Sequence, residues 1–141
     1  MTEQTLKNYF DSKVSVETLA IDLKDSQVQT GHDTTSVHVT PIADDEEYKV
    51  TRQHLIKLCN DTLAGHLTTT NLNTIAFAII TSDFFSWEKN SKNSEIIETV
   101  IYDWDNPDIG YPLTTDNLKF WKIYLETGEY KLNPDQLKRK K

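Results

Sequence analysis

The spacing of apolar residues predicts helices over most of the chain. The longest regular stripe repeats at helical intervals and ends before Asn106-Pro107, a pair that stops a helix. Its members are Ile96, Ile97, Val100, Ile101 and Trp104. Before it, residues 71–85 hold the run IAFAII, which is apolar around nearly the whole helix circumference. We therefore expect the helix over residues 71–85 at the centre of the fold.

Capping residues and shorter stripes predict the remaining helices. Stripes over residues 2–10 and 15–23 predict two of them, and Thr51 begins a third that ends at Gly65, a residue suited to a left-handed cap. Asn93 or Ser94 is expected to cap the helix that follows the loop 88–93. Thr114 or Thr115 caps a further helix that Gly128 closes, and Asn133-Pro134 opens a short last turn.

Residues 27–47 lack the helical period and are rich in Thr, Ser, Gly and Asp. The segment 36–42, SVHVTPI, alternates briefly and could pair with the residues around Val28. We predict a mainly α protein, a compact helical bundle of about five helices plus a short C-terminal helix, with room for a small β-hairpin between residues 27 and 42. The expected core is Ile75, Phe77, Ile79, Ile80, Ile97, Val100, Ile101, Trp104, Leu118 and Trp121.

Length and composition fit a single globular domain over residues 1–141, because 37% of the residues are hydrophobic. No apolar run approaches the length of a membrane span, and the first ten residues lack the order of a signal peptide. The single cysteine, Cys59, falls on an apolar helix position and has no partner for an internal disulfide. We therefore predict a cytoplasmic protein that does not bind membranes.

The charge is unevenly distributed along the chain. The net charge is −7, but residues 138–141 are all basic, which leaves 11 basic against 22 acidic residues and a charge of −11 for residues 1–137. A body of this charge repels nucleic acid and favours a basic protein partner, although acidity also serves solubility.

The spacing of the acidic residues, histidines and glycines does not match any known catalytic or metal-binding motif that we considered. Asp103, Asp105 and Asp108 resemble the start of a calcium loop, but Pro107 and Thr114 stand where that loop needs ligands, and its glycine is missing. The four histidines show no zinc spacing, and Cys59 belongs to an apolar stripe. The four glycines are scattered, so no phosphate-binding loop is formed. We expect no cofactor, no metal and no enzymatic activity.

An acidic surface with tyrosines is the candidate site. The predicted partner-binding residues lie on one helix and the turn after it: Glu95, Glu98, Tyr102, Asp103, Asp105, Asp108 and Tyr111. Carboxylates attract a basic partner and aromatic rings supply buried area. A purely solubilising role for this surface stays open.

Two other functions stay open as well. In the first, Glu95, Glu98 or His54 would serve a small hydrolase or ligand-binding domain in a pocket between helices. In the second, the chain would be a subunit of a larger assembly, with Phe84, Phe85 and Trp87 left exposed as an apolar patch.

The stretch LIKLCNDTLAGHLTTTNLNTIAFAI, a helix ending in Gly followed by a Thr-capped helix, resembles the helix-Gly-helix unit of colicin-type immunity proteins and other immunity families of bacterial toxin systems. The resemblance covers about residues 50–85 together with overall size and charge. It implies a protein that binds and neutralises a toxin, often a basic nuclease, through an acidic face. The nuclease-colicin immunity proteins present two consecutive tyrosines, which this sequence lacks, so no family residue carries over.

Overall fold

A computed structural model describes most of the chain. The described residues are 2–24, 27–29, 35–37, 42, 47–106, 111–130 and 132, and for 27–29 and 35–37 the description covers the backbone alone. The predicted short C-terminal helix, which would begin near Asn133, and the basic tail 138–141 lie outside the described residues.

Helices form most of the described structure, which confirms the mainly α bundle. The six helices of the described residues are α1 (Glu3–Phe10), α2 (Val16–Leu23), α3 (Arg52–Leu63), α4 (Thr69–Thr81), α5 (Lys92–Asp105) and α6 (Thr115–Thr127). Within this part of the chain, no helix combines the length and the apolarity needed to cross a bilayer.

Each helix begins at a hydroxyl side chain that accepts a backbone N–H three residues later, as the capping pattern predicts. The six caps are Thr2, Ser15, Thr51, Thr68, Ser91 and Thr114. The predicted cap of α5, Asn93 or Ser94, is wrong. Ser94 is instead the partner of Ser91, because each serine Oγ accepts the other residue's backbone N–H at 3.0 Å.

The described residues include four short strands between the helices. Strand β1 (Gln27–Gln29) pairs antiparallel with β2 (Thr35–Val37), Val28 opposite Ser36, which confirms the predicted hairpin. Strand β3 (Tyr48–Lys49) pairs in parallel with β4 (Phe85–Ser86), which the sequence patterns did not predict.

The C-terminal end of α4 comes earlier than predicted. The sequence places the helix end at Phe85, whereas α4 stops at Thr81. Ser82 Oγ accepts the backbone N–H groups of Phe84 and Phe85, each at 2.9 Å, and this turns the chain out of the helix towards β4.

The core lies between α4 and α5 and between α3 and α6, the two most extensive helix pairings. Eight of the ten predicted core residues are buried, among them Trp104 and Trp121, whose rings meet edge to face at 6.4 Å. Phe77 and Ile80 are only partly buried. The face of α4 that bears these two residues is only partly covered by the other described elements. The expectation that α4 is surrounded on every side is therefore wrong for this face.

Candidate functional site

Four of the predicted partner-binding residues form one stripe along α5. At about 100° per residue, Glu95, Glu98, Tyr102 and Asp105 fall within an arc of about 80° and span about 15 Å of helix. Glu95 and Tyr102 are exposed, Tyr102 by 44%, and Glu98 and Asp105 are half-buried. We call these four residues the acidic stripe.

The acidic stripe forms no ion pair with a cation of the described residues. No ion pair or side-chain hydrogen bond joins Glu95, Glu98 or Asp105 to another described residue, although other carboxylates are partnered, as Asp11 is with Lys7. Helix α4, which packs against α5, carries no charged residue between Thr69 and Thr81. No described cation therefore occupies the contact that an incoming basic side chain would make with these carboxylates.

Asp105 lies in an unfavourable electrostatic position. It is the last residue of α5, where the helix dipole is negative, and no basic residue lies in that last turn. Partial burial raises the pKa of its carboxyl above the usual value, and no cation within the described part of the chain compensates the desolvation. On α4, Asn73 Nδ2 donates to the carbonyl oxygens of Trp104 at 2.9 Å and Asp105 at 3.4 Å, which fixes this helix end.

Asp103 points away from the acidic stripe and has structural partners. Its Oδ2 accepts a hydrogen bond from Trp121 Nε1 at 3.0 Å and another from the Tyr130 hydroxyl at 2.5 Å. Trp121 is fully buried, so Asp103 satisfies a donor that water cannot reach. Asp103, which the sequence analysis grouped with the residues of the acidic stripe, therefore faces a different side of α5.

Tyr111 belongs to a group of tyrosines beside Asp103. The Tyr130 ring meets Tyr111 edge to face at 6.1 Å and Tyr124 at 4.9 Å. Burial, then the Asp103 charge, raises the pKa of Tyr111, and burial together with the hydrogen bond to Asp103 raises that of Tyr130. Asp108, the last predicted site residue, lies outside the described residues.

Sequence analysis missed Tyr124 and Tyr130. Tyr124 lies on α6, where it is buried in the core. Tyr130 comes two residues after Gly128, whose φ of +83° makes it the left-handed cap of α6. An apolar residue just beyond such a glycine commonly packs back on the preceding helix, so this signal could have found Tyr130.

Two grooves are lined by residues that the structure describes. One groove, of about 590 Å³, lies between Arg52, Gln53, Leu125 and Glu126. A second, of about 510 Å³, lies beside Lys49, Val50 and Lys89, and both share Thr51 and Asn93. Neither groove is lined by Glu95, Glu98 or His54.

Other candidate features have structural explanations. Cys59 is fully buried, which raises the pKa of its thiol to about 12. Phe84, Phe85 and Trp87 are each buried to more than nine-tenths, so the apolar patch expected of an assembly subunit is not formed by them. No group of three or more potential ligands within the described ranges could hold a metal ion.

Comparison with protein-family models, with curated proteins and with solved structures finds no match for this chain.

Proposed function

We propose that this chain is a non-enzymatic acidic binding protein that uses the acidic stripe of α5 to bind a basic protein partner, and that it is an immunity-type inhibitor of a toxin. The excess of 11 acidic residues in residues 1–137 favours a cationic partner. The resemblance of residues 50–85 to bacterial immunity proteins favours a toxin as that partner.

The observation that carries the proposal is the uncompensated carboxylate of Asp105. A half-buried acid at the negative end of a helix costs stability, and nothing among the described residues offsets the cost. A local electrostatic rule broken without internal compensation is typical of a functional position. A lysine or arginine of a partner would supply the missing countercharge.

The acidic stripe combines two kinds of contact. Glu95 and Glu98 lie at its N-terminal end, where their charge accelerates encounter with a basic surface more than it adds affinity. Tyr102 lies between Glu98 and Asp105, and its ring can be covered by the aliphatic stem or guanidinium plane of a basic side chain. In this proposal Asp103 keeps its hydrogen bonds to Trp121 and Tyr130. It stabilises the fold next to the stripe, and the residues of the stripe contact the partner.

A lysine-rich peptide titrated into the ¹⁵N-labelled protein tests whether the stripe is the preferred cationic contact. We expect the amide shift changes to centre on residues 95–105 and to shrink as salt is raised, because exposed charges are screened. The triple variant E95Q/E98Q/D105N should bind the peptide at least about fivefold more weakly, since each exposed pair contributes up to about 1 kcal/mol.

The matched control removes the same three charges elsewhere. Glu17, Asp116 and Glu126 are exposed residues of α2 and α6, and E17Q/D116N/E126Q makes the net charge less negative by the same three units as the stripe variant does. It should keep most of the peptide affinity. Equal loss in both variants would show that the peptide responds to net charge alone, and the proposed face would then be abandoned.

A further inference from the structure

His54 is held between three elements in the N-terminal turn of α3. Its ring stacks on Phe10 at the end of α1 with centroids 4.6 Å apart, and on Tyr48 of β3 at 5.5 Å. Phe85 of β4 meets both Phe10 and Tyr48 edge to face. The imidazole therefore joins α1, the β3–β4 pair and the start of α3.

Hydrogen bonds define the protonation state of this ring. The backbone N–H of Thr51 donates to His54 Nδ1 at 3.1 Å, so Nδ1 must be unprotonated and the proton resides on Nε2. Nε2 faces the Tyr48 hydroxyl oxygen at 3.4 Å, and that hydroxyl donates to Asp11 Oδ1 at 2.6 Å. His54 thus takes the position of the usual Glu or Gln in the capping box of α3, and it can do so only while neutral.

We propose that His54 is a pH-sensitive latch, which holds β3 and the start of α3 against α1 while its ring is neutral and releases the β3–α3 junction when its ring is protonated. The inference is independent of the docking function proposed for α5.

Protonation would place two donors face to face. A proton on Nδ1 points at the Thr51 N–H, and the resulting charge sits at the positive end of the α3 dipole, where a cation is unfavourable. Both effects disfavour the bond from the Thr51 N–H to the ring, so the capping box of α3 loses the half that His54 supplies and keeps only the bond from the His54 N–H to Thr51 Oγ1.

The charged groups around the ring do not reverse this preference. Burial lowers the pKa of His54; from α1, Asp11 opposes the decrease, and from α3, Lys57 adds to it. Asp11 is already shared with Lys7 at 3.8 Å and with the Tyr48 hydroxyl of β3, and the β4 side offers the aromatic rings of Phe84 and Phe85. The cation is left without a carboxylate of its own.

The sign of the pH dependence follows from the lowered pKa. The released histidine has the ordinary pKa near 6.5, so the open form binds more protons than the latched form as pH falls. The latch is at full strength above pH 6.5 and weakens progressively below it.

Two backbone hydrogen bonds report the release. The amides of Tyr48 and Val50 donate to the carbonyl oxygens of Phe84 at 2.8 Å and Ser86 at 2.7 Å, and they join β3 to β4 directly before the Thr51 cap. Val50 and Thr51 also form part of the wall of the 510 Å³ groove, so opening the junction would change the shape of that groove.

Hydrogen exchange of the wild-type protein between pH 7 and pH 5 tests the latch. The protection factors of the Tyr48 and Val50 amides should fall by at least about threefold, relative to those of Ile79 and Val100 in the core helices. In H54Q, which keeps an acceptor for the Thr51 N–H but cannot be charged, the same ratio should not change with pH.

His66 provides the second control, since it is exposed and lies 4.0 Å from Glu17, far along the chain from the junction. H66Q should keep the full pH response. A response that persists in H54Q, or that is missing from the wild type, overturns the proposal. If H54Q does not fold, the ring titration of the wild-type protein decides: a pKa of His54 at or above 6.5 also overturns it.

Discussion

At the residue scale, the carboxylates of α5 divide into two kinds. Asp103 is committed to the fold through Trp121 and Tyr130, whereas Glu98 has no described partner. The sequence does not distinguish a structural carboxylate from an unpartnered one on the same helix. The distinction depends on Trp121 of α6 and on Tyr130, which only the tertiary structure brings to Asp103. The spacing i, i+3, i+7 of Glu95, Glu98 and Tyr102 is by itself enough to put these three residues on one side of a helix, as the structure has them.

The substitution D103A should destabilise the protein by about 1–3 kcal/mol, because it leaves the buried Nε1 of Trp121 without an acceptor. E98A, the control on the same helix, should change the free energy of unfolding by no more than about 0.5 kcal/mol. Urea denaturation followed by tryptophan fluorescence measures both. Equal stability of the two variants would show that Asp103 has no structural role and would return it to the docking face.

At the element scale, the helices were predictable because their signals are local. Every N-cap of the six described helices is a Thr or Ser, and the buried stripes recur at helical spacing. The β3–β4 pair was not predictable, since each strand has two residues and their pairing joins parts of the chain separated by α3 and α4. The same pairing accounts for the early end of α4, since Phe85 lies in β4 opposite Tyr48 and cannot also continue the helix.

Gly128 tests how α6 ends. Its φ of +83° lies in the left-handed region, while a Cβ at this position would meet only ordinary contacts, 3.7 Å from Ile96 Cδ1 at the nearest. G128A should therefore destabilise the protein by about 1 kcal/mol through backbone strain alone. G128N should cost less, because asparagine tolerates this conformation. A urea midpoint unchanged in G128A would show that the α6 cap does not hold the segment carrying Tyr130.

At the scale of the whole molecule, the apolar side chains form a core between the helices, and the unpartnered carboxylates of α5 lie on one side of that helix. The acidic character of the protein was predictable from composition, because it follows from the numbers of acidic and basic residues alone. The exact membership of the site depended on which side chains the tertiary structure uses internally, and periodicity carries no information about that. Asp103 and Tyr111 illustrate the point, because the aromatic ring that lies beside both, that of Tyr130, comes from the segment after α6.

The most direct test of the docking proposal is protection in cells against the product of the neighbouring gene. We predict that this product is a basic toxin, that the wild-type chain restores growth when the two are expressed together, and that E95K/E98K/D105K does not. E17K/D116K/E126K, with the same change in net charge on α2 and α6, should still protect. A neighbouring product without toxicity, or protection that survives reversal of the stripe, would contradict the account.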